Sequence, residues 1–115
     1  MDEQEIVSLE QWKHDLEKEL KLFEEQKKMI TSQIASLKAK KEIIQQVSNT
    51  FDQREDDLDQ AEFEQHFEMQ SINDELERLN LDLEYVTTSN HANAVYNDLV
   101  IQQIEQKLLE WEQRV

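Results

Sequence analysis

Apolar residues recur at every seventh position from Leu9 through Leu16, Phe23, Ile30 and Leu37 to Ile44. An interval of seven sustained over that span predicts a long helix with a coiled-coil seam. With these residues at d, the a positions read Lys13, Leu20, Lys27, Ile34 and Lys41, so the seam alternates aliphatic side chains with lysines. A parallel homodimer of this segment would set each lysine against its own copy, which disfavours self-pairing in register. A seam that receives the lysines on carboxylates, or lets them reach water along their stems, suits it better. Ser8-x-x-Gln11 has the form of a capping box and places the helix start near residue 8.

The pattern breaks at Val47-Ser48-Asn49-Thr50-Phe51, where Thr50-x-x-Gln53 forms a second candidate capping box. A helix–helix turn is expected there, with Asn49 as the residue most tolerant of a left-handed backbone. Beyond it Met69, Ile72, Leu76, Leu79, Leu83 and Val86 make a second a/d stripe, with Leu58 two heptads before Ile72. A short connection implies antiparallel neighbours. Folding about residues 49–51 sets Ile30 against Met69 and Ile72, Phe23 against Leu76 and Leu79, and Leu16 against Leu83 and Val86. The same register brings Lys38, Lys40 and Lys41 beside Asp57, Asp59, Glu62 and Glu64, and Lys27 and Lys28 beside Asp74 and Glu75.

In the run 87–93, Thr-Thr-Ser-Asn-His-Ala-Asn, the heptad phase slips by one residue. Such a slip is either a stutter in one helix or a turn between two; these mediocre helix formers favour a bend or break. A new stripe follows, through Ala94, Asn97, Ile101, Ile104, Leu108, Trp111 and Val115. Val95, Tyr96, Leu99, Val100 and Leu109 lie off that stripe, so the last segment is apolar on more than one face and calls for burial on two sides. The expected fold is therefore all-α: an antiparallel helical hairpin (coiled coil) over about 8–47 and 52–88, with a third C-terminal helix over about 94–114. All 115 residues read as one domain, 1–115.

Composition strengthens the helical reading and narrows the function. Gly and Pro are both absent, which removes tight hairpin turns and phosphate-cradling loops together. Acids outnumber bases 27 to 12, for a net charge of -15, the wrong sign for binding nucleic acid. Zero cysteine excludes disulfides, thiol catalysis and cysteine-held metals. No apolar run approaches the roughly 20 residues of a membrane span, and the acidic start differs from a signal peptide. No membrane insertion and a cytoplasmic location are expected.

Candidate chemistry is sparse. Glu62 and His66 share a helical face at i, i+4, but a metal centre needs three or four ligands, and the Glu-x-x-His element of di-iron bundles is missing. No catalytic grouping, metal or cofactor is expected. Phe63 and Phe67 point away from the Ile72 stripe: they either fill the core near the turn after a phase shift or form an aromatic patch ringed by acids.

These features describe a non-catalytic protein–protein interaction module: an adaptor, a chaperone-like escort or a subunit of a larger helical assembly. Its partners are other proteins met by helix–helix packing, in a homo- or hetero-oligomer. The expected contact residues are Val95, Tyr96, Leu99, Val100, Ile101, Ile104, Leu108 and Trp111. The alternative is an acidic inhibitor or nucleic-acid mimic that occupies a basic site on another protein. In outline the chain is similar to small helical accessory proteins such as secretion chaperones and coiled-coil complex subunits. It lacks the Trp-x-Gly turn of the type VII export class, because Trp12 is followed by Lys13 and His14.

Overall fold

A computed structural model describes residues 2–114. The fold is all-α, a hairpin in which two long helices pack antiparallel. Helix α1 spans Glu3–Ser48, a 3-10 turn follows at Phe51–Gln53, α2 spans Gln60–His66 and α3 spans Met69–Arg114. Val115, the last residue of the expected C-terminal stripe, lies outside the described residues.

Three boundaries differ from expectation. The start of α1 is capped by Asp2, whose Oδ1 accepts from the Glu5 amide at 2.9 Å. Ser8 is already inside the helix, and Gln11 donates instead to Asp15 one turn on, at 3.0 Å. At the other end, Thr50 makes no capping bond to the 3-10 turn; its hydroxyl donates back to the Val47 carbonyl at 2.6 Å and closes the last turn of α1. The segments expected as separate helices over 52–88 and 94–114 are distributed otherwise. A seven-residue α2 is followed by one unbroken α3 that contains the whole run 87–93.

That continuity has a physical reason in the seam. Buried and half-buried positions of α3 run Val86, Asn90, Ala94, Asn97 and Ile101, so two steps of four replace the usual four and three. This is a stutter: it rotates the seam slightly around the helix while every hydrogen bond of the helix is kept. Small or polar residues occupy it, and Asn97 Nδ2 is buried there without a hydrogen-bond partner.

The connection between α1 and α3 is built without glycine. Asp59 caps α2 by accepting from the Ala61 and Glu62 amides at 2.9 and 3.4 Å. Glu68 then takes a left-handed backbone, φ 55°, and its amide donates to the Gln65 carbonyl at 3.1 Å, ending α2 before α3 begins. The Gln60 side chain donates to the carbonyl of Ser48, the most deeply buried of the described residues, and so ties α2 to the end of α1.

The chain divides into two compact units. One comprises residues 28–84. Its core is Ile34, Leu76 and Leu79, with Ile30, Leu37, Ile72 and Leu83 packed on it. The expected register would have placed residues 65–68 opposite Ile34. The observed one sets Leu76 and Leu79 there, a displacement of about 11 residues or roughly three helical turns, which returns the same side of α3 to the seam. Lys38 and Lys41 consequently line a depression with Glu77 and Glu84, not with the acids of 57–64.

The other unit comprises residues up to Lys27 and from Tyr85 onward. Here Ile6, Leu9, Leu16, Leu20 and Phe23 are half-buried on α1, while Val86, Ile101 and Ile104 are buried on α3. Lys13, at an a position, meets Glu105 at 3.3 Å and Glu17 at 3.7 Å. The carboxylate that receives a seam lysine is therefore supplied by α3, again well beyond the expected 86–89. The hydrogen bond to Glu105, with the charges of Glu105 and Glu17, raises the Lys13 pKa above the ordinary lysine value.

Candidate interaction surfaces

The residues expected to contact a partner fall on two sides of α3. Ile101 and Ile104, at 6% and 4% exposure, are core residues of their own unit. Val100, Leu108 and Trp111 are half-buried. Val95, Tyr96 and Leu99 face outward, at 43%, 62% and 57% exposure. The apolar surplus of the segment is thus divided: the stripe from Ala94 to Trp111 is buried or half-buried, and the off-stripe Val95, Tyr96, Leu99 and Leu109 remain open.

Leu99 and Val100 continue into a shallow depression of about 360 Å³ lined also by Leu9, Trp12, Gln103, Ile104 and Lys107. Trp12 is half-exposed, and earlier on α3 Tyr85 is 72% exposed. Tyr85, Ala92, Tyr96 and Leu99 lie within about 60° of one another around a helix of 3.6 residues per turn, on the side away from the seam. The sequence reading missed Trp12 and Tyr85. A signal existed: no Asp, Glu, Lys or Arg occurs from Tyr85 to Asn97, in a chain that is 34% charged.

The second surface is at the turn, in the unit of residues 28–84. Phe63 packs edge-on against Phe51, with ring centroids 4.9 Å apart, and tilted against Phe67 at 5.0 Å. Phe63 is half-buried and Phe67 is 49% exposed, so one ring fills the turn and the next lies at the surface. Together with Lys40, Ile43, Ile44, Val47 and Ile72 they line a groove of about 420 Å³. The His66 ring stands edge-on to Phe67 at 4.9 Å.

Among the described residues no group of three or more His, Asp or Glu side chains stands close enough to hold a metal ion, and Glu62 with His66 remains a pair. The shifted ionisable groups belong to ion pairs on the helix surface. Arg78 bonds Glu75 and Asp82, and its hydrogen bond holds the Glu75 carboxyl below the usual carboxylate range. No described helix is long and apolar enough to cross a membrane. No family model, curated protein or solved structure matches this chain.

Proposed function

We propose that this chain is a non-catalytic helical interaction module, an adaptor or escort or a subunit of a larger assembly, acting in the cytoplasm. It packs a partner helix against the outer face of α3 around Val95, Tyr96 and Leu99, with Tyr85 and Trp12 extending the contact. One observation carries this reading. The longest uncharged stretch of a strongly acidic chain coincides with a helix face on which large apolar and aromatic side chains are left exposed. Burying charge at the centre of an interface is costly, whereas Tyr and Trp there provide anchors with few rotamers to freeze.

Within the expected contact set, Ile101, Ile104 and the half-buried Val100, Leu108 and Trp111 support the surface from beneath. The acidic-mimic alternative finds less support, because the acids of 52–68 lie largely on irregular backbone. The test uses exposed positions, so that folding survives. Wild-type chain and a Tyr96→Asp, Leu99→Asp variant are compared by affinity purification from the native source and by sedimentation. The variant is expected to lose specific partners, or self-association, while its helical circular dichroism is unchanged. An identical partner set and oligomeric state would show that this face is not the contact.

A further inference from the structure

The turn groove involves none of the α3 face residues, and it differs from that face in its electrical setting. Its walls are apolar and open: Ile43 is 61% exposed, Val47 41% and Phe67 49%. The Phe51–Phe63–Phe67 ring stack holds the aromatic wall in place. A volume of about 420 Å³ is within the range of concave sites that accept a ligand group.

The segment that supplies this wall, 52–68, holds eight acids and one base. That base, Arg54, is already engaged by Asp56 through two side-chain hydrogen bonds, and Asp59 is engaged as the cap of α2. Among the described residues no ion pair joins Asp52, Glu55, Asp57, Glu62, Glu64 or Glu68 to a base. An apolar groove whose aromatic wall is carried by such a segment selects its occupant by charge as well as by shape. A second copy would bring the same acids to the same place, and an acidic or neutral segment would leave the carboxylates unanswered.

We propose that the groove formed by Ile43, Val47, Phe63 and Phe67 receives the apolar anchor of a basic amphipathic segment of a partner protein, whose Lys and Arg side chains answer the acids of 52–68. Hydrophobic anchoring supplies the hold, and the charges set orientation and reject acidic competitors. Lys40, the one base lining the groove, contributes a stem that is itself apolar.

The probe is a fluorescently labelled amphipathic peptide with Leu and Phe on one helical face and Lys on the other. Its controls are the same peptide with Glu for Lys and with Ala for the Leu and Phe anchors. Fluorescence anisotropy with the full chain should show binding of the first peptide and at least about tenfold weaker binding of each control. Ile43→Ser and Phe67→Ser should each weaken the first peptide by a similar factor; Ile43 is well exposed, so its thermal midpoint serves as the check that the variant is folded. Equal binding of the anchorless lysine peptide would overturn the proposal by showing charge attraction alone, and equal binding of the Glu peptide would overturn its charge component. A dimer of the chain that Ile43→Ser dissociates would identify a second copy as the occupant and overturn it as well. Tyr96→Asp with Leu99→Asp should leave peptide binding unchanged, so failure here is separable from failure of the α3 face.

Discussion

Glu68 carries a backbone that glycine or asparagine would hold more easily. At φ 55° its Cβ crowds the following carbonyl, a cost of about 1–2 kcal/mol for an ordinary side chain and more for a β-branched one. The chain has no glycine to place there, and the hydrogen bond to Gln65 requires that geometry if α2 is to end before α3. Replacing Glu68 separates backbone from charge, because Glu68→Asn and Glu68→Val remove the same carboxylate. Asparagine is expected to leave the urea midpoint level or raise it slightly, and valine to lower stability by about 1–2 kcal/mol. Equal midpoints for the two variants would mean that the left-handed turn contributes no strain. Lys13 poses a different question at the same scale. Its pKa is raised in the folded chain, so its ion pairs contribute fully below the unfolded lysine value, and that contribution is lost as pH rises through the folded value. Alkaline titration of wild type against Lys13→Met should show the difference shrinking only at that alkaline end.

At the scale of elements, phase was legible in the sequence and register was not. Leu9 to Ile44 at intervals of seven specify which side of α1 turns inward, and those positions are the buried or half-buried ones, Lys27 being the a position left exposed. A slide of about three helical turns leaves the same side facing inward, so nothing in the stripe itself chooses between residues 65–68 and Leu76 or Leu79 as neighbours of Ile34. The choice is made by the connection. Residues 49–68 are spent on a 3-10 turn, a loop and α2, and the absence of a 3,4 stripe between Ile44 and Met69 was the available sign of it. Pairing the lysines of 38–41 with the acids of 57–64 treated that acidic stretch as a long helix, which it is not. The candidate surface was half legible for the same reason. Apolar residues on two faces of 94–111 could be seen, but which face the chain covers depends on the register that brings Ile101 and Ile104 to α1. Since the chain contains no cysteine, engineered pairs test the register cleanly. Lys13→Cys with Glu105→Cys should be joined rapidly within one chain by a short bis-maleimide, and Lys13→Cys with Thr88→Cys should not. Those two α3 positions are about 25 Å apart along the helix at 1.5 Å per residue. Preferential linking of the Thr88 pair would restore a turn at 49–51.

At the scale of the whole molecule, charge sets the conditions under which either surface can work. A net charge of -15 makes every carboxylate face the repulsion of the others, while the ion pairs formed by Arg54 and Arg78 are exposed and those of Lys13 only half-buried. Exposed pairs contribute about 0–1 kcal/mol each. Unpaired acids are far more numerous, so repulsion outweighs attraction across the chain at neutral pH. Salt shortens the range of both, from roughly 30 Å at 0.01 M to about 3 Å at 1 M, and the larger of the two is relieved more. Raising sodium chloride at pH 7 is therefore expected to raise the thermal midpoint of the isolated chain, while the same salt weakens any basic segment held at the turn. A partner packed on the uncharged face between Tyr85 and Asn97 should resist that change, because neither side of such a contact relies on an ion pair. Salt sensitivity at the turn beside salt resistance on α3, measured on one preparation, would tie the two surfaces to their separate chemistries. A midpoint that falls with salt would mean that the few exposed pairs outweigh the repulsion among 27 acids.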